Sequence, residues 1–380
     1  MADALMPRIW DRNFRREDLL RRVGRLEQVA GVRLVTLGDG AERGVRVLEF
    51  RTGTGFVFDV VVDRAFDVGR CEISGRPLGW LSGVGFAGPW YYEPDGLGFL
   101  RSFGGGLLTT CGLEHALFMA EDTAEHYHYP PKKTETFGLH GRVSNRPARL
   151  VGYGERWEGN ECVLWAEGEI LQAAVFGEHL LLRRRIEAKM GESCLKIHDE
   201  VENVGYARTP HMYLYHVNVG FPIVDEGSEL LAPARSVAAR GDYPAEKYDK
   251  LHAPEAGYVE RVFEHELASE GDGTVPVAIV NRGAGLGLYQ IYGREQFPHH
   301  FVWHMLGEGT YVVGIEPSTN RTAGRLDARE RGELIELEAG EKRTYDLELG
   351  VLGCEDEVNG FAARVASVTG DQWGGPAELP

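Results

Sequence analysis

Most of this 380-residue chain is built from short apolar runs that alternate with period two between glycine-rich turns. Val45–Phe50, Phe56–Val62, His179–Arg185, Cys194–Val201, His211–Val219, Leu286–Ile291, Phe301–Leu306, Tyr311–Ile315 and Thr344–Val351 all read this way. Further on, Glu336 and Glu338 fall between Ile335, Leu337 and Ala339. Side chains on a strand point alternately to opposite faces, so this is the signature of half-buried strands. Fifty glycines and 17 prolines supply the turns. Many strands with few helices between them imply antiparallel sheets, and the expected fold class is all-β, a sandwich of antiparallel sheets.

No composition break divides the chain, and sandwiches of this kind run past 200 residues as one domain. The expected organisation is an N-terminal segment over residues 1–30, one β-sandwich over 31–352 and a C-terminal tail over 353–380, frayed from Gln372 to Pro380. Phe14, Leu19, Leu20 and Val23 lie among charges between Asp11 and Val29, the pattern of a short amphipathic helix. That segment packs either on the body or on a second copy in a homodimer. Two stretches are irregular. Glu114–Glu135 contains His126-Tyr127-His128-Tyr129-Pro130-Pro131, and Ala238–Ala256 is the other. Long loops on a rigid sandwich often carry specificity.

The net charge of −17 argues against nucleic acid as a partner. Five scattered cysteines without a C-x-x-C spacing read as buried free thiols in a reducing, cytoplasmic setting. The first 24 residues lack the apolar core of a signal peptide. No run of about 18 apolar residues exists to span a membrane, so no membrane partner is expected.

Three titratable residues stand out because each sits inside an apolar or glycine-rich run. They are His140 in Gly138-Leu139-His140-Gly141-Arg142, His216 in Tyr215-His216-Val217-Asn218, and Glu316 in Gly314-Ile315-Glu316-Pro317. If 211–220 is one strand, His216, Asn218 and Gly220 share a face, and His211 points to the other. Glycine at 220 would leave room for a ligand. His216 is then either a core histidine or a functional one. Glu316 is either a solvated strand end or a carboxylate facing a cleft, where partial burial raises its pKa. Arg64 either pairs with Asp63 or Asp67 or forks onto substrate oxygens. Trp303 and His304 either pack in the core or border a pocket, where the tryptophan face stacks on a sugar and its N–H bonds a hydroxyl. His126 and His128 form an H-x-H pair; a metal site there is the weaker reading. No phosphate loop and no G-x-S-x-G elbow occurs.

Together these pieces resemble the galactose-mutarotase (aldose 1-epimerase) superfamily. The shared features are His140-Gly141, Val201-Glu202-Asn203 and Pro210 ahead of His216, Glu316-Pro317, an early Arg64, and the ending Leu337-Glu338-Ala339-Gly340-Glu341. The resemblance spans roughly residues 45 to 352 and is nearest to a bacterial branch known only as a domain of unknown function. Asp63-Arg64, Thr110-Cys111-Gly112-Leu113 and Leu139-His140-Gly141-Arg142-Val143-Ser144-Asn145 carry that nearer likeness. One departure is Tyr215-His216-Val217-Asn218-Val219-Gly220, which lacks the aromatic pair that follows the histidine in true mutarotases.

The resemblance implies a galactose-mutarotase-like super-sandwich and an isomerase acting on a small-molecule carbohydrate without a cofactor or metal. It makes Glu316 the base, His216 the acid and His140 their partner. Arg64, Arg142, Asn145, Asn218, Trp303, His304 and His128 are the expected substrate contacts. Two other readings stay open: proton transfer on a carbon of a sugar or sugar acid, with metal or Arg142 help, and carbohydrate binding without catalysis.

Overall fold

The computed structural model describes residues 6–245 and 248–369, so Gln372–Pro380 lies outside the described residues. The described residues form antiparallel sheets, the three largest having eight, six and five strands. The fold is the expected all-β sandwich. The eight-stranded sheet is built around the long strands Arg149–Glu158, Glu161–Ala173, His179–Lys189, Cys194–Asn203 and Lys342–Leu352. The five-stranded sheet gathers the early strands, including Phe56–Val61 and Asp67–Ile73. The six-stranded sheet runs in the order Leu108–Cys111, Leu214–Gly220, Thr310–Ser318, His299–Gly307, Arg261–Leu267, Ala234–Ala239. One hydrophobic core joins all three, with Phe58 and Val60, Leu182 and Ile197, and Val217 and Ile315 as representatives.

A buried ion network pins the sheets together. Arg184 is fully buried on the eight-stranded sheet and bonds Asp199 beside it and Asp67 of the five-stranded sheet, each at 2.6 Å. It also donates to Thr110 Oγ1 at 2.8 Å. Tyr213 and Tyr215 donate to Asp199 Oδ2 at 2.7 and 2.6 Å. A buried charge is tolerable only when its bonding capacity is filled, and here it is filled across three sheets. Tyr215 points into this network, so strand alternation turns its neighbour His216 to the opposite face.

Residues 211–220 are not one strand as expected: Thr209–His211 and Leu214–Gly220 are separate strands. His211 belongs to a short ladder with Ile335–Leu337, and its ring contacts Leu113 O and Tyr345 Oη, both at 2.8 Å. The N-terminal segment holds only a five-residue helix, Arg16–Leu20. Ile9, Phe14, Leu19 and Leu26 are buried in the common core, so its apolar residues are spent on the chain's own body. Residues 355–369, read from the sequence as tail, form a helix. Its Val358, Phe361 and Val365 pack on Ala278, Val280 and Leu352. Among the described residues no helix is long and apolar enough to cross a membrane.

Candidate active site

The strand Leu214–Gly220 is buried on both faces, and its outer face is where the candidate residues meet. The ladder to Thr310–Ser318 pairs Leu214 with Ser318 and Val217 with Ile315, which sets His216 directly opposite Glu316. His216 Nε2 lies 3.3 Å from Glu316 Oε1, and both side chains are 6% exposed. The next strand pairs Phe301 with Glu316 and Trp303 with Gly314, so both aromatics share the Glu316 face. Gly314 lies beneath the pair: a methyl there would collide with Glu316 Oε1 and stand 3.3 Å from the His216 ring.

His140 comes from the other side. Its backbone has φ of 58°, a left-handed conformation in the turn before Gly141, and its N–H donates to Leu117 O at 2.7 Å. The His140 ring lies edge-on to His216 at 5.6 Å. Aromatic rings complete the wall. Phe103 and Trp303 stand 5.3 and 5.4 Å from the His216 ring, and Phe99 is 5.0 Å from His140. Trp80 contacts both Phe103 and Trp303, at 5.7 and 6.4 Å.

This apolar wall tunes the ionisable groups. Burial, helped by the Glu260 charge, pushes the Glu316 carboxyl up to about 8. Burial, and then the charge of His140, brings His216 down to about 3, and burial alone brings His140 to about 4. In both cases the neutral form is favoured in a poorly solvated site. Glu316 Oε1, His216 Nδ1, His140 Nδ1 and Asn218 Oδ1 are all buried without a hydrogen-bond partner. Buried polar groups normally find partners, so four such atoms gathered around His216 make this cluster the candidate site.

The other expected contacts divide. Asn218 shares the His216 face, and its amide donates to Gly106 O and His216 O at 3.1 and 3.0 Å. Trp303 offers its ring face, but its N–H is taken by Glu260 Oε2 at 2.8 Å. His304, its neighbour, points to the opposite face, where it stacks edge-on to Phe263 at 5.1 Å. Alternation permits only one of the two in the site. Arg64 pairs with neither aspartate and faces no open cleft. Its guanidinium donates to Ser144 O, Ala87 O and Ser102 O at 2.8, 2.9 and 2.6 Å, clasping the loops around the aromatic wall. Arg142 is neutralised by Glu114 at 2.9 Å and by Glu178. Asn145 is buried in a 3₁₀ turn, its amide on Ser144 Oγ at 3.2 Å.

Gly220 is packed against Trp80, whose Cα would meet a methyl at 3.0 Å, so its missing side chain makes room for protein. His128 does not join His216 and Glu316. It lines a separate cavity of about 350 Å³ with His126, Arg208, Arg329 and Glu336. Its loop docks on the 173–179 turn, through His128 N to Phe176 O at 2.7 Å and Tyr129 stacked on Phe176. Among the described residues no group of three His, Cys, Asp or Glu side chains is arranged to hold a metal. Three wall residues carry no periodic signal in the sequence: Trp80 stands in a two-residue strand, Phe99 in a 3₁₀ turn and Phe103 in the loop that follows it.

Known structures share the fold. A candidate aldose 1-epimerase of Klebsiella pneumoniae superposes with a TM-score of 0.85 at 22% identity, covering 93% of each chain. A galactose mutarotase-like protein of Clostridium acetobutylicum gives 0.55 at 12% identity, over 84% of this chain and 98% of that one. A galactose mutarotase related enzyme of Lactobacillus acidophilus gives 0.52 at 12%, over 78% and 95%. No curated protein matches the sequence. A family model, the domain of unknown function DUF4432, matches residues 42–351. That match covers all but the first strand of the three sheets and every residue of the candidate site, and the chain is therefore a member of the DUF4432 family, built on the galactose-mutarotase-like sandwich.

Proposed function

We propose that this protein is a cofactor-independent sugar 1-epimerase that interconverts the anomers of an aldose or aldose derivative. The observation that carries the reading is the 3.3 Å approach of His216 Nε2 to Glu316 Oε1. Both atoms are buried, and they face an aromatic wall suited to the apolar face of a sugar ring.

Mutarotation needs one proton removed from the anomeric hydroxyl and one delivered to the ring oxygen. A carboxyl raised to about 8 beside an imidazole lowered to about 3 holds one proton between them across neutral pH. At rest that proton is on Glu316. The reaction runs through the minor form in which it has moved to His216, where Glu316 accepts the anomeric proton while the imidazole protonates the ring oxygen. The C1–O5 bond breaks, the aldehyde rotates about C1–C2, and attack of O5 on its other face closes the second anomer. The protons then return, and nothing is oxidised or reduced. Each positioned acid or base contributes about 10²–10⁴-fold. His140, edge-on to His216, orients hydroxyls through its unpartnered Nδ1. Trp303 and Trp80 provide the stacking surface, and Asn218 Oδ1 accepts from a hydroxyl.

Proton transfer at carbon is the less favoured reading. Such chemistry needs a stabiliser for the enolate, and the groups considered for it lie elsewhere. Arg142 is engaged by two carboxylates, and His126 and His128 line another cavity. The test is an NMR screen of sugars and sugar acids in D₂O. Faster exchange between anomers with carbon-bound hydrogens retained supports the proposal; deuterium appearing at C2 contradicts it.

A further inference from the structure

The same face of the six-stranded sheet carries a cation that forms no direct ion pair among the described residues. Arg240 is the first residue after the edge strand Ala234–Ala239, where the long 238–256 loop begins. Its N–H donates to Val262 O at 2.8 Å, which extends the ladder by one residue. The row then continues across the sheet: Val262 pairs with Trp303, Trp303 with Gly314, and Gly314 with Asn218. Directly opposed residues share a face, so Arg240 stands in line with Trp303 and the ground beneath Glu316. Its guanidinium carbon lies over the Phe118 ring, 3.5 Å from the centroid, and Phe118 and Val262 pack against the same small cluster, which contains Phe301.

Among the described residues Arg240 forms no ion pair, although the chain carries 58 acidic residues against 41 basic ones. The Glu260 charge acts on Arg240 from a distance without a direct ion pair. Glu260 holds the Trp303 indole, and Glu264 accepts from Thr322 and faces Arg321 at 3.6 Å. Stacking on an aromatic fixes the guanidinium plane and leaves its N–H fork free for a planar or tetrahedral anion. Three strand spacings, roughly 14 Å at the backbone, separate residue 240 from residue 314. Residue 314 is glycine, so the span is to be bridged by the long Arg240 side chain together with a sugar ring and its exocyclic carbon. A sugar lying on Trp303 with C1 at Glu316 therefore turns its far end to Arg240.

We infer that Arg240 is an anion-recognition residue and that the substrate is an acidic sugar, bearing a carboxylate or phosphate on the carbon opposite the anomeric centre. This inference rests on the mutarotase-type reading only for where C1 lies.

The test measures binding and anomer exchange of glucuronate, galacturonate and the two hexose 6-phosphates against glucose and galactose, using the wild type, Arg240→Gln and Glu316→Gln. The expected result is tighter binding of acidic sugars by the wild type. Arg240→Gln then raises their KM about 10–100-fold with kcat little changed, and neutral sugars are unaffected. The carboxylate and phosphate arms identify which anion fits. Unchanged acidic-sugar binding in Arg240→Gln, or wild-type binding that ignores the anion, overturns the inference. Acidic sugars that bind through Arg240 in both the wild type and Glu316→Gln, yet never exchange anomers, support Arg240 and remove the mutarotase reading instead.

Discussion

Glu316 lies over Gly314, two residues before it on the same strand and face, and the carboxylate occupies the space that any side chain at 314 would need. The same missing atom admits the His216 ring from the neighbouring strand. Gly314 is thus a structural condition for the proton-sharing pair.

Gly314→Ala tests that relationship. The methyl must displace the carboxylate, the imidazole or both. Misplacement by about 1 Å costs catalysis on the order of 10²-fold, while overpacking costs stability about 1–3 kcal/mol. Anomer-exchange rates and urea denaturation on the same preparation separate the two effects. Full activity in the variant would contradict the placement of the pair.

The pair makes the protein's activity depend on one shared proton. With Glu316 raised to about 8 and His216 lowered to about 3, the singly protonated pair predominates between those limits. Transfer in either direction needs that proton, so kcat/KM should be flat through neutrality and fall as pH rises past about 8. A rate that keeps climbing through that region would mean an unassisted carboxylate base.

The raised carboxyl also costs stability. Glu316 titrates near 4.5 when unperturbed and near 8 in the fold. Its contribution is fully present below the unperturbed value and is lost as pH rises through the folded one. Glu316→Gln does not titrate, so its melting temperature should gain on the wild type as pH rises from about 4.5 to about 8. The gap should reach on the order of 2–4 kcal/mol in unfolding free energy. Parallel melting curves across that range would show that Glu316 is ionised in the fold.

Asp199 tests the frame behind the site. It accepts from Arg184, Tyr213 and Tyr215, and the last two flank the start of the His216 strand. Asp199→Asn leaves Arg184 under-compensated in the core and should cost about 3–5 kcal/mol of stability. Chemical denaturation measures this, and a loss below about 1 kcal/mol would mean that the network is not what pins the sheets.

The fold was legible because strand alternation and turn chemistry are local properties. Alternation does separate Trp303 from His304 within one strand, but His211 is apart from His216 because the chain leaves the strand between them and joins the ladder to Ile335–Leu337. What local pattern does not carry is the partner of a long polar side chain. Arg64 ends on three backbone carbonyls, and a carbonyl has no signature in a sequence. Arg142 finds Glu114 and Glu178, 28 and 36 residues away, only through tertiary packing. Phe99 and Phe103 are not legible because a single 3₁₀ turn and the loop after it lack a period that would show which side faces His216. The C-terminal helix has its apolar residues at 358, 361 and 365, a helical spacing diluted by Gly360 and a charged first turn.

The most direct measurement of the central claim is the anomer-exchange rate, by NMR magnetisation transfer, of the best sugar with wild type and Glu316→Gln at equal folded concentration. The account predicts a loss of at least about 10²-fold in the variant, because an amide cannot accept the anomeric proton. Sugar binding and melting should remain intact. An unchanged rate in Glu316→Gln would contradict it.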